Sequence, residues 1–271
     1  MDNRSTIATK PSKNFYEHPV NISHVWDAVD NERIPAIIAH IPQDIRGRSI
    51  EIGTAGGKLF RELRKRLPSV TGVDISFAAL SSIGEGARVA ANANRLPFKD
   101  NCFEVSIAAD VLEHLSKEEF LSSVREIARV TQNYLIVNAP YRERYKAPVA
   151  RCMDCGKEFN VYGHLRSFTE KKLCALFRDA GFSAIRVDTL GPYREWRSDF
   201  LLWLGRKAGK AYSSDFTVCP VCGSARINPK RSFVHRCIGK LLYTIQTVID
   251  RLIPRAFKPR SEMIAVFQKI R

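Results

Sequence analysis

The stretch Arg48-Ser49-Ile50-Glu51-Ile52-Gly53-Thr54-Ala55-Gly56-Gly57 decides how this chain is read. Its short apolar run closed by glycine predicts a buried parallel strand over residues 48–53. The small residues that follow let the backbone approach a ligand closely, and glycine supplies positive φ where the chain must bend. Helical spacing of Leu59, Phe60, Leu63 and Leu67 predicts a helix over 58–67. A second strand at 70–74 ends on Asp74, 21 residues after Gly53. That distance suits an acid accepting hydrogen bonds from both hydroxyls of a ribose, with a nucleotide-like cofactor across the carboxyl ends of the strands.

The same alternation continues outward. A short helix is expected at 78–84, a weak strand at 88–92 and a fourth strand at 103–110. The amphipathic run 117–130 puts Phe120, Leu121, Val124, Ile127 and Ala128 on one helical face. Strands follow at 134–138, 184–189 and 263–270, with a helix at 169–180 ended by Gly181. Strands alternating with helices imply an α/β fold with seven strands, mostly parallel, the last antiparallel. About 70 residues between the last two strands break the pattern and are an insertion. The expected organisation is a loose arm at 1–20, a core at 21–190, a basic cap at 191–261 and the last core strand at 262–271.

A dinucleotide-binding turn would need G-x-G-x-x-G, but Ala55 and Lys58 stand at its second and third glycines. The run Leu96-Pro97-Phe98-Lys99-Asp100-Asn101-Cys102-Phe103-Glu104-Val105, then Asp110-Val111-Leu112-Glu113-His114-Leu115, points elsewhere. Together with the bend, it resembles class I S-adenosylmethionine-dependent methyltransferases of the small-molecule type, over roughly residues 48–189. The resemblance implies a Rossmann-like core and S-adenosylmethionine as cofactor. By position, Glu51, Gly53, Thr54, Ala55 and Gly56 would shape the methionine end of the pocket. Asp74 would hold the ribose and Ile75 would pack on the adenine. Asn92 and Ala93 would sit near the adenine amino group, with Asp110 beside the cleft. Two positions depart from the family pattern: Ala55 replaces the middle glycine of the turn, and Asn92 stands where aspartate is common.

Of seven cysteines, four form the pairs Cys152-Met153-Asp154-Cys155 and Cys219-Pro220-Val221-Cys222, each followed by glycine. Such knuckles bracket a turn with two thiolates, and two of them make a closed tetrahedral zinc site. Cys152, Cys155, Cys219 and Cys222 are therefore the expected structural Zn²⁺ ligands, with His164, His235 and Cys237 as substitutes. Reduced loop thiols are the plain alternative. His164, in Gly163-His164-Leu165-Arg166, is a candidate catalytic base, and His114 is a second. Either could equally fix its loop.

The net charge of +15 is uneven, because residues 191–271 hold 16 Lys/Arg against five Asp/Glu. Such a segment attracts anionic partners. Trp196, Phe200, Leu201, Trp203 and Leu204 lie among Arg197, Arg206, Lys207 and Lys210. Further on, Ile238, Leu241, Leu242, Ile245, Val248, Ile249 and Leu252 share a helical face, flanked by His235, Arg236, Lys240, Arg251, Arg255, Lys258 and Arg260. The plain expectation is a lid packing that stripe on the core. The sharper one is peripheral contact with an anionic membrane, which suits a lipid-linked acceptor.

The expected reaction is methyl transfer to a small-molecule, glycan or lipid-linked acceptor, at oxygen. The alternatives are an RNA methyltransferase that grips substrate with the basic segment, and a silent adaptor with a vestigial pocket. The start MDNRSTIATK lacks the apolar run of a secretory signal, and no stretch approaches the roughly 18 apolar residues of a membrane span. The expected location is cytoplasmic, peripheral at the inner membrane face.

Overall fold

The computed structural model describes residues 13–18, 27–147, 149–195, 198–207, 217–227 and 232–270. Its strands are β1 (Arg48–Ile52), β2 (Ser69–Asp74), β3 (Ala87–Ala90), β4 (Phe103–Ala109), β5 (Thr131–Pro140), β6 (Val149–Arg151), β7 (Glu158–Asn160), β8 (Phe182–Tyr193) and β9 (Arg260–Lys269). Its helices are α1 (Lys13–Glu17), α2 (Asp27–Ala39), α3 (Lys58–Arg66), α4 (Phe77–Ser82), α5 (Lys117–Val130), α6 (Glu170–Arg178), α7 (Asp199–Lys207) and α8 (Phe233–Leu252).

Seven strands form one sheet in the order β3-β2-β1-β4-β5-β9-β8, and β9 runs antiparallel to both of its neighbours. The expected α/β, Rossmann-like sheet is what the chain forms. Chain order reverses between β1 and β4, where Ile52 pairs with Ala108, and a crevice opens at such a point. One core layer packs Ile52, Val124, Ile127 and Phe177 on one face, and the other packs Ile37, Phe60, Leu63 and Leu80 on the opposite face. Helix starts are chemically marked. Ser116 accepts from the Glu119 amide (3.3 Å) and donates to its Oε2 (3.0 Å), a reciprocal cap at the start of α5.

Several boundaries differ from the sequence reading. β8 extends to Tyr193 and β9 starts at Arg260, so both strands reach into the span assigned to the insertion. Cross-strand pairing with each other carries them past the apolar run that sequence makes visible. The antiparallel pair β6–β7 was not anticipated, because three-residue strands carry too little periodicity. Residues 13–18, read as part of a loose arm, form a docked turn of helix. Phe15 is buried there, and the Glu17 carboxylate accepts from the amides of Phe77 (3.0 Å) and Ala78 (3.1 Å) at the start of α4. Trp196, Arg197 and Lys210 lie outside the described residues.

The expected lid does not pack its stripe. Of α8, only Gly239 and Leu242 are buried, while Phe233, Leu241 and Leu252 are 72%, 60% and 77% exposed. Phe200 and Trp203 of α7 are exposed too, with their rings stacked at 6.0 Å. Among the described residues, no helix is long and apolar enough to cross a membrane.

Candidate active site and cysteine centre

The bend after β1 is built from backbone. The amides of Gly53 (2.8 Å) and Thr54 (3.2 Å) both donate to the Val73 carbonyl, and the Thr54 hydroxyl adds a third bond at 3.1 Å. Gly53 has φ 80°, and a Cβ placed there would lie 2.4 Å from Cγ2 of Val111. Only glycine meets both demands. Ala55, the departure from the family pattern, adopts φ 44°, and Gly57 (φ 74°) leads into α3. The half-buried Gly56 gives its carbonyl to Arg61 (3.2 Å).

Asp74 ends β2 facing this bend. Its Oδ2 accepts from the Ala55 amide and its Oδ1 from the Ser76 amide, both at 2.8 Å. Each oxygen keeps a lone pair for a further donor. Burial raises the Asp74 pKa, against the pull of the amides of Ser76, Ala55 and Ile75. Ile75 is half-buried beside it. Glu51 is buried at the end of β1, and its Oε2 has no partner. Burial first, then the field of Asp74, hold the Glu51 pKa well above the usual carboxylate range.

The remaining expected cofactor residues are Asn92, Ala93 and Asp110. Asn92 donates from Nδ2 to Glu119 (3.1 Å), and its oxygen takes the Asn94 amide (3.2 Å). Ala93 packs into the core. Asp110 has φ 51° and pairs with Arg33 of α2, leaving its Oδ1 buried without a partner. Arg33 also meets Asp30, which Lys58 reaches at 3.1 Å. No motif pointed to Arg33, which lies upstream of the bend and reaches Asp110 only through folding.

His114 and His164 come together, their rings edge to face at 4.9 Å. His164 Nδ1 is hydrogen-bonded to Glu143, and Tyr16 of α1 lies edge-on to His114 at 6.5 Å. Burial, then the neighbouring His164, lower the His114 pKa to about 3. Burial opposes charge on His164 as well, but the Glu143 bond and the fields of Glu113 and Glu262 outweigh it and raise its pKa. Sequence reasoning gave no role to Glu113, Glu143, Glu262 or Tyr16. Glu113 stood in plain view beside His114, whereas the others carry no local signal.

All four expected zinc ligands meet. Cys152 Sγ lies 3.5 Å from Cys222 Sγ, Cys155 Sγ lies 3.6 Å from Cys219 Sγ, and the four sulfurs sit within 4.8 Å of one another. Zinc–sulfur bonds near 2.3 Å need sulfurs about 3.8 Å apart, so the cluster can hold zinc. Each knuckle closes on a glycine of positive φ, Gly156 at 70° and Gly223 at 74°. Gly156 N donates to the Cys152 carbonyl (3.1 Å) and Gly223 N to that of Cys219 (2.9 Å). A small core of Ala150, Cys152, Phe159, Val161 and Cys219 surrounds the centre. The reserve ligands His164, His235 and Cys237 are not in this cluster.

Comparison with known proteins agrees with this geometry. Residues 50–134 match the family model described as a methyltransferase domain. No curated protein matches the chain in sequence. Similar solved structures include the complex between the Haloferax volcanii Trm112 methyltransferase activator and a putative methyltransferase. That match has TM-score 0.57 and 11% identity, over 97% of this chain and 100% of that one. An S-adenosylmethionine-dependent methyltransferase from Archaeoglobus fulgidus has TM-score 0.52 and 15% identity over 88% and 91% of the two chains. The 1,6-didemethyltoxoflavin-N1-methyltransferase of Burkholderia thailandensis has TM-score 0.50 and 13% identity, covering 90% and 80%. At such identities the solved structures speak for the fold.

Strand order, bend and family match together agree with a class I methyltransferase fold. Residues 50–134 carry the methyltransferase domain, on a fold shared with S-adenosylmethionine-dependent methyltransferases. The residues present fit the cofactor's chemistry. Glu51 offers a buried unpaired oxygen to an ammonium, and Asp74 offers two oxygens to ribose hydroxyls.

Proposed function

We propose that the enzyme methylates an oxygen of a small-molecule, glycan or lipid-linked acceptor, with α7 and α8 resting on an anionic membrane surface and zinc holding the cap together. The cofactor, when bound, supplies an activated methyl group on a sulfonium. The work left to this chain is binding, orientation and exclusion of water. Asp74 and Glu51 hold the two ends of the cofactor, with Gly53 to Gly56, Ile75, Asn92, Ala93 and Asp110 along the crevice. The acceptor side is formed by His114 and His164, with Tyr16 edge-on to His114. Cys152, Cys155, Cys219 and Cys222 hold Zn²⁺ as a structural clamp between β6–β7 and residues 217–227.

The exposed apolar face of α8 carries the membrane part of this reading. Phe233, Leu241, Val248 and Leu252 face solvent in a segment rich in Lys and Arg. An interfacial helix needs both features, apolar residues at acyl depth and cations at the headgroups. RNA binding would call for exposed aromatics spaced as stacking platforms, and the exposed residues of α8 are mostly aliphatic.

Two measurements test the proposal together. Calorimetry with S-adenosylhomocysteine should give one site per chain, and the full chain should sediment with anionic vesicles but not with neutral ones. Absence of nucleoside binding would overturn the catalytic reading. Salt-sensitive RNA binding without vesicle binding would replace the membrane reading with the RNA one.

A further inference from the structure

The turn after β4 holds a second cluster with metal-ligand chemistry, distinct from the four cysteines. Glu113 and His114 lie in the 3-10 turn Leu112–His114, and His164 comes from the loop ahead of α6. One ligand atom from each falls within 4.8 Å of the others. Glu113 is 0% exposed, and neither of its carboxylate oxygens has a hydrogen-bond partner. His114 Nδ1 is likewise buried without one. Leaving three such atoms unsatisfied is costly, the more so for a charged group. A fold that pays this cost at one point has something to bind there.

The surroundings favour a cation. Glu143 and Glu262 add two more carboxylates that act on His164 and Glu113, and Glu262 Oε2 is itself buried and unpartnered. Glu143 grips Nδ1 of His164, which fixes the ring and leaves Nε2 as the nitrogen to ligate. A carboxylate behind a histidine in this way is the usual outer support of a metal-bound imidazole. Two histidines and one carboxylate occupy one side of a coordination shell and leave the rest open. Arg166 donates to the Leu112 carbonyl (2.7 Å), and its guanidinium lies over Phe120 at 3.9 Å.

We propose that Glu113, His114 and His164 bind a divalent cation of the manganese, iron or zinc type, whose open positions take the acceptor's oxygen. The proposal rests on the methyl-transfer reading above and specifies how that site grips its acceptor. The cluster lies where the acceptor must come, because Val111, three residues from His114, already touches the bend at Gly53. A bound ion would draw the three ligand atoms to about 3–3.5 Å from one another, given bonds of roughly 2.0–2.2 Å.

The test is titration of the full chain, with its cysteine centre zinc-loaded, by Mn²⁺ followed by electron paramagnetic resonance. Manganese prefers oxygen and nitrogen donors and leaves thiolate-bound zinc in place. One Mn²⁺ per chain should bind, and the near-isosteric Glu113→Gln should weaken it at least thirtyfold with the melting temperature retained. His114→Gln should act alike, and Glu143→Gln should weaken binding about 10–100-fold through its hold on His164. No Mn²⁺ binding, or binding indifferent to both Glu113→Gln and His114→Gln, overturns the proposal. S-adenosylhomocysteine calorimetry on the same samples separates the two readings. If the nucleoside binds and Mn²⁺ does not, only the metal site falls; if neither binds, methyl transfer falls as well.

Discussion

The cofactor bend and the cysteine centre are both small sites shaped by glycine, yet they are held in opposite ways. The bend is fixed by strands that pair with their neighbours: Gly53 and Thr54 hang from Val73, and Asp74 ties Ala55 to Ser76. Its geometry survives without ligand because the sheet determines it. The cysteine centre joins a three-residue hairpin to a loop some 65 residues later, through one bridge at Cys152–Ile227 and a core of five buried residues. Little apolar surface supports it beyond the bonds of Ser224 and Arg226 to Asp154, so an ion held by the four thiolates would supply much of its order. One site is a product of the fold, and the other, once it holds an ion, would be a condition for part of it.

Removing a ligand should separate the two most sharply. Cys219→Ser should abolish zinc by metal analysis and free residues 149–161 and 217–227 to exchange amide hydrogens, since a structural zinc is worth about 10–16 kcal/mol of folding. Nucleoside binding should persist; its loss in this variant would mean that the regions are not independent. The converse change, Asp74→Ala, should weaken S-adenosylhomocysteine about a hundredfold by calorimetry while leaving zinc content intact. Two hydrogen bonds to a charged acceptor at about 1.5–3 kcal/mol apiece account for that loss.

Finer effects sharpen the picture of the bend. Burial raises the Glu51 pKa, whereas an ammonium beside it favours the ionised form. Binding should therefore release a proton, and affinity should rise with pH by up to about tenfold per unit below that pKa. Calorimetry in two buffers of different ionisation enthalpy measures the proton, and Glu51→Gln should remove it. In the cap, Leu241→Glu should weaken sedimentation with anionic vesicles roughly tenfold and leave the melting temperature nearly unchanged, because Leu241 is exposed. Smallest of all, Ser232→Ala removes the hydroxyl that accepts from the His235 amide and should cost α8 about 1 kcal/mol in thermal unfolding.

Much of the sheet could be read ahead of the structure because its strands are continuous apolar runs, and Ser116 with Glu119 marks a helix start within four residues. The bend was legible for the same reason: its glycines and Asp74 act over a short span of chain. Fewer signals existed for β6–β7, which owes its shape to the knuckle, or for Phe15 and Glu17, which are ordered by contacts to distant elements.

By itself the sequence determined the alternation of strands and helices, the glycine-lined bend, its acid and the two thiolate pairs, since each is encoded by neighbours along the chain. Tertiary structure alone decided that Glu113, His114, His164 and Glu143 converge, because residues so far apart have no fixed spacing until the sheet brings them together. It also decided the fate of α8. A helical period states that an apolar face exists; only the packing around it shows that nothing in the described chain covers most of that face.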